Sequence, residues 1–333
     1  TGSILTNQYT TLSISSTQAS DINLPSSITQ LNSLSINRGA LAPKVILNNN
    51  LTITANVSAL VFAAGTFELN GKTLTLSGTY TSSAATNFIM DARNGSTVVF
   101  NAAPIAFVAN ALLTDQTTNF QMGDDATIDP TITTLNNLTI TGGTTTLGGA
   151  FTLYGNLTVA SGATLDKSTY NLTVYGDVSN SGTLTLNGGG GTITLHGQMI
   201  GSGTYTTNAN TILSIEGTSP QFILPASIIT LGRLTLNRPS GMKLMAGLTV
   251  GDAAPSNNDV TITLGDLDLN GFNLTLAAAN AQISETAGNT IINTGLSTAT
   301  NGYVTTFTAG SSAANIQTSG IGVPEITDGG VGS

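Results

Sequence analysis

A short triplet with alternate apolar residues recurs along the chain, equivalent copies lying 16–20 residues or so apart, and restricts it to few folds. LSIN (34–37), LTIT (51–54), FELN (67–70) and LTLS (74–77) open the series. LTIT (138–141), FTLY (151–154), LTVA (157–160), LTVY (172–175), LTLN (184–187) and ITLH (193–196) continue it. Strict alternation over so few residues is the mark of short, half-buried strands. Gly, Asn and Ser fill the intervals, as turns require. No stretch shows sustained 3.6-residue periodicity with caps, so helices are not expected. A three-residue strand cannot bury its apolar face alone. It must stack on copies of itself.

Longer repeats enclose the short one. SITQLNSLSIN begins at Ser27, TITTLNNLTIT at Thr131 and SIITLGRLTLN at Ser227. A second phrase, FELNGKTLTL at 67–76, returns as LDLNGFNLTL at 267–276, and a worn copy, LDKSTYNLTV, spans Leu165–Val174. The spacing divides residues 24–308 into three units, 24–129, 130–223 and 224–308. Residues 1–23 read as an N-terminal cap or interface segment. Residues 309–333 lose the rhythm and read as a C-terminal cap, interface arm or linker.

Two all-β architectures use such a pattern. One is a right-handed parallel β-solenoid (β-helix) with three units in one coil. The other is three tandem antiparallel β-sandwich domains. Three features favour the solenoid. The short period runs through the unit boundaries without a linker. The triplets are as short as solenoid strands. The phrase Asn-Leu-Thr recurs at Asn50, Asn137, Asn156, Asn171 and Asn273, as if like stacked on like. Turns of 18–22 residues give about 15 turns and a length of roughly 70 Å. The Asn70-Gly71 pair is the best point for the sandwich, since Asn-Gly closes hairpins.

Composition narrows the partners. Charged residues are 8% of the chain, net charge is −9, and Lys plus Arg number 8. Without clustered basic residues, neither nucleic acid nor an anionic membrane surface is an expected partner. No apolar run is long enough to span a bilayer, so membrane insertion is not expected. With no cysteine, disulfides and thiolate metal sites are excluded. The opening TGSILTNQYT lacks the features of a signal peptide, so a secreted protein would be represented here by its mature chain.

The residues that could carry chemistry each have a plainer explanation. His196 in TITLHGQMI has no partner nucleophile or acid nearby in sequence, and reads as a strand-end residue. Acids gather weakly at Asp124, Asp125 and Asp129, at Asp266 and Asp268, and at Glu325 and Asp328. With Arg233 and Arg238 they invite comparison with β-helical polysaccharide lyases and hydrolases, or with Ca²⁺ sites. Alternation instead places Asp266, Asp268 and Asn270 outward, opposite buried Leu267 and Leu269. The Gly188–Gly191 run leads into a strand and reads as a turn, not a phosphate loop. The sequons at Asn50 and its counterparts are by-products of the repeat. Thr73–Thr75 and Thr144–Thr146 suggest an ice-binding face, but Thr is not kept at every turn of one face. No catalytic, cofactor-binding or metal-binding residue is therefore assigned, and no cofactor is expected.

The rhythm of LNSLSINRGALAPKVILNNNLTITANVSALVFAAGTFELNGKTLTLSG, STVVFNAAPIAFVANALL and ISETAGNTIINTGLSTATNGYVTTFT resembles that of the large secreted β-helical surface proteins of Bacteroidota-type bacteria. The resemblance implies an extracellular or cell-surface protein, adhesin-like or structural. Such proteins usually end in a C-terminal sorting domain, whereas this sequence closes on DGGVGS. That implies either a removed domain or a different export route. The expectation is a non-enzymatic subunit of a surface fibre or an adhesin stalk. Its expected partners are copies of itself, end to end, or cell-surface or host glycans. A carbohydrate-active β-helix enzyme and an ice-binding solenoid are the alternatives.

Overall fold

The structure, a computed structural model, describes residues 6–15, 18–39, 43–55, 60–78, 80–81, 88–102, 105–106, 111–218, 220–251, 259–277, 283–295, 304–306 and 327–328. These residues contain strands and turns and no helix. The fold is a β-solenoid: every strand pairing among the described residues is parallel, and each strand pairs with its counterpart one turn later. That excludes the sandwich, whose strands run antiparallel. The coil has about 11 turns, fewer than the 15 expected. Turn length also varies. Leu138 lies opposite Phe120, 18 residues back. Val260, however, lies opposite Leu234, 26 residues back. The extra residues fall between strands, where the triplet rhythm is silent.

The chain divides into two compact units, Thr1–Asp166 and Lys167–Ser333. In the first, the longest sheet stacks Gln30–Leu31, Leu51–Ile53, Thr73–Leu76, Thr97–Phe100, Asn119–Met122, Leu138–Ile140 and Leu157–Val159. The triplets behave as the pattern demands. Leu51 and Ile53 are buried and Thr52 is half-buried between them. Leu74 and Leu76 bury onto them one turn on. In the second, the main sheet stacks Leu172–Val174, Thr192–Leu195, Ile212–Ile215, Arg233–Asn237, Val260–Leu264 and Ile283–Glu285. Its inward residues form unbroken apolar columns, such as Leu172, Ile193, Leu213, Leu234, Val260 and Ile283.

The coil passes through the expected boundaries at 129/130 and 223/224. Phe120 pairs with Leu138 across the first, and Phe222 with Met242 across the second. It also begins within residues 1–23, because Thr11–Ser15 pairs with Ser33–Asn37 and Ile22–Asn23 with Val45–Ile46. Residues 1–5 and 16–17 of that segment lie outside the described residues. So does most of 309–333, apart from Thr327–Asp328, which pairs with Thr305–Thr306.

The phrase repeated 200 positions apart folds the same way twice. Asn70 (φ 52°) and Gly71 (φ 73°) take the left-handed conformation, as do Asn270 (φ 51°) and Gly271 (φ 82°). The amides of Lys72 and Phe272 donate to the carbonyls of Leu69 and Leu269 at 2.9 Å. Positive φ at both central residues defines a type I′ turn. Here it closes no hairpin. It carries the chain round a corner, from the strand ending at Glu68 to Thr73–Leu76 in another sheet. Both copies are also preceded by a register shift, after Ile36 and after Leu236. In each, the residue after the shifted Asn is a buried arginine, Arg38 or Arg238.

Candidate functional site

The acids of the repeated phrase are the first place to look for chemistry. Glu68 lies opposite Ile46 and Asp91, Asp166 opposite Thr146, and Asp268 opposite Lys243 and Ile292. No two of the three face each other. Glu68 binds Lys44 at 2.6 Å, and Asp91 takes a bidentate pair of hydrogen bonds from Arg93 at 2.7 and 2.8 Å. Burial pushes the Asp91 carboxyl up, but the Arg93 hydrogen bonds and charge outweigh it and hold the carboxyl below its ordinary value.

Asp268 overturns the expectation of an outward acid. It is 2% exposed, between the buried Leu267 and Leu269. Its strand is two residues long and the chain turns at once, so alternation never develops. Its Oδ1 accepts from the amides of Asn270 and Thr294, both at 2.9 Å. Its Oδ2 accepts from the Thr294 hydroxyl at 2.5 Å, with Lys243 Nζ at 3.7 Å. Burial again pushes the pKa up, and the Thr294 and Asn270 hydrogen bonds, with Lys243, hold it down.

The same device recurs at other corners. A side-chain oxygen accepts the backbone N–H of the following turn where no strand ladder can. Asp21 takes the amide of Lys44, Asn50 that of Thr73, and Asp125 that of Thr144. Asn171 takes Thr192, Asp177 takes Gln198, and Asp266 takes Thr290, at 2.6 to 3.0 Å. Three of the five Asn-Leu-Thr asparagines, Asn50, Asn137 and Asn171, thus commit their side-chain oxygen to an amide of the next turn. Asn137 meets the amide of another such Asn, Asn156, at 2.7 Å, whereas Asn50 and Asn171 meet threonines. Like stacks on like in part. Asp124 and Asp129 work within their own loops, Asp124 on the amide of Asp125 and Asp129 on Thr131. Glu325 lies outside the described residues.

The buried cations serve the backbone too. Arg238 is fully buried against the Phe222 ring. It donates to the carbonyls of Pro220 at 2.7 Å, His196 at 2.8 Å and Glu216 at 2.6 Å. It thus gathers oxygens from two earlier turns. Arg38 donates to Gln18 and Ser20 carbonyls in the same manner. In the worn copy of the phrase, Lys167 occupies the place of Leu69 and Leu269. It is fully buried, and its Nζ donates to the carbonyls of Ser168, Tyr170 and Gly188 at 3.2–3.3 Å.

His196 does have an acid beside it. Glu216, one turn on, places Oε2 at 3.6 Å from Nε2, and Tyr175, one turn back, stacks on the imidazole at 4.2 Å and 11°. The signal was present as YGD, HGQ and EGT, a residue-Gly-polar step that recurs once per turn from Tyr175. Among the described residues no group of three His, Cys, Asp or Glu could hold a metal ion, and no helix is long and apolar enough to cross a membrane. No family model matches the chain, and no curated protein and no solved structure is similar to it.

Proposed function

We propose that the chain is a non-enzymatic, secreted structural protein of a bacterial surface, a fibre subunit or adhesin stalk that associates end to end with its own copies. The observation that carries this reading is the commitment of the corner oxygens. Asp21, Asp125, Asp177, Asp266 and Asp268 hold amides of the next turn, and Arg38 and Arg238 hold carbonyls of earlier ones. Groups that would serve as acid, base or electrophile in a β-helical enzyme bind turn to turn instead. A coil tied at its corners and filled by continuous apolar columns resists local opening, because each turn is supported by both neighbours. The resemblance in rhythm to secreted surface proteins supplies the setting.

Sedimentation velocity across a concentration series, with electron microscopy of the same samples, tests the reading. The expected result is concentration-dependent growth into fibres, and loss of surface fibres or adhesion from cells lacking the protein. A chain that stays monomeric at high concentration, from cells whose fibres and adhesion survive its deletion, would overturn it. Turnover of pectin or alginate, abolished by Asp266→Asn with Asp268→Asn, would replace it with the enzyme.

A further inference from the structure

Sequence alone denies a hydroxyl at every turn of one face. The register of the second unit restores it. Thr173, Thr194, Ser214, Thr235, Thr261 and Ser284 lie opposite one another in successive turns of the main sheet. They point away from the apolar columns on either side. All are half-buried except Ser214, which is recessed and donates to Glu216 at 3.2 Å. Parallel pairing fixes the repeat of this file at about 4.8 Å. Threonine is stiff at χ1 and each hydroxyl can both donate and accept, so the file is ordered before anything meets it.

What lies beside the file selects the partner. On one side run Tyr175, His196, Glu216 and Asn237, where Tyr175 is 46% exposed. On the other run Asn171, Thr192, Ile212 and Arg233. Glu216 on one flank and Arg233 on the other carry opposite charges, so the face is close to neutral on a chain of net charge −9. An anionic polymer would be repelled by that net charge. A protein partner would require a central apolar anchor that the hydroxyl file does not offer. The unequal flanks, aromatic and acidic on one side and aliphatic and basic on the other, break the two-dimensional regularity that a lattice of ordered water needs. A flexible chain of uncharged, hydroxyl-bearing units suits the file, one set of contacts per turn.

We propose that this face binds an extended neutral polysaccharide laid along the coil axis. The inference rests on the surface reading for where such a partner is met, and not on self-association. Each turn contributes weakly, and affinity comes from many turns engaged at once.

Affinity electrophoresis of the full chain in gels containing hydroxyethyl cellulose, xylan, mixed-linkage β-glucan or soluble starch tests it. Thr→Val is close to isosteric and suits a strand, so Thr194→Val with Thr235→Val and Thr261→Val removes hydroxyls and keeps the fold. Circular dichroism checks this. Retardation by at least one neutral polymer, weakened about tenfold in the triple variant, is expected. The control Thr249→Val with Thr275→Val, from the shorter threonine file of a different sheet, in which Thr230, Thr249, Thr275 and Thr305 lie opposite one another, should bind as the parent does. No retardation in any gel, or equal loss in both variants, overturns the proposal. Thermal hysteresis without retardation also overturns it and assigns the file to ordered water. Fibres that form without binding polysaccharide defeat this inference alone. A monomer that binds leaves it standing.

Discussion

Asp268 distinguishes a structural acid from a catalytic one, and the cost of changing it can be worked out bond by bond. In Asp268→Ala the amides of Asn270 and Thr294 lose their acceptor. A fully buried donor left unsatisfied costs about 1–3 kcal/mol, and these two are part-buried, so the pair costs about 2–4 kcal/mol. Asp268→Asn keeps an oxygen at Oδ1 for both amides. It loses the charge that strengthens them and that attracts Lys243, about 1–2 kcal/mol in all. The gap between the parent and Asp268→Asn must also depend on pH. The folded carboxyl titrates below its ordinary value. Its contribution is therefore fully present above the unfolded pKa, near 4, and is lost as pH falls through the folded pKa. Urea unfolding at pH 7 and across pH 4 to 2.5 measures the gap, and amide exchange at Asn270 and Thr294 locates it. Alanine and asparagine variants of equal stability, or a parent–asparagine gap unchanged by acid, would refute the staple.

Other consequences are as direct. Arg238→Met should lower stability by about 3–5 kcal/mol in urea, because three carbonyls from two turns lose their donor at once; a midpoint like the parent's would contradict this. A Cβ on Gly188 would sit 1.9 Å from the Ser168 carbonyl oxygen. Gly188→Ala should therefore cost about 1–3 kcal/mol through backbone displacement. Gly162→Ala, in open space at φ +79°, should cost about 1 kcal/mol through its conformation alone. Burial raises the Tyr205 hydroxyl to about 12, with Asn180 opposing. The ultraviolet titration of the parent minus Tyr205→Phe should then show a midpoint near that value, and stability should fall as pH rises from 10 toward it. A midpoint at an ordinary tyrosine value would refute the burial.

The strands were legible because each triplet states its own two-sided pattern. Leu51-Thr52-Ile53 and Leu274-Thr275-Leu276 bury as the alternation requires. Parallel stacking was legible from the period, and the length of each individual turn was not, because residues inserted at corners lengthen a turn without disturbing any triplet. The burial of Asp268 was not legible, because alternation holds only while a strand continues, and this one stops after two residues. Glu216 and Lys167 were invisible for another reason. Their partners are set by register between turns, or by carbonyls that any sequence possesses. The hydroxyl file does not show as Thr-x-Thr along the chain, because its regularity runs across the strands.

The register beneath the corner staples, the buried arginines and the hydroxyl file can be tested with one covalent probe. The chain has no cysteine, so an introduced pair reports without interference. Thr173 and Thr194 are opposite one another and half-buried. Their spacing of about 4.8 Å falls within the Cα range of a disulfide. Thr173→Cys with Thr194→Cys should oxidise to an intramolecular disulfide in the folded chain. Thr173→Cys with Thr192→Cys, displaced by two residues along the strand, should not. Cross-linking of the displaced pair, or of neither, would contradict the in-register parallel coil.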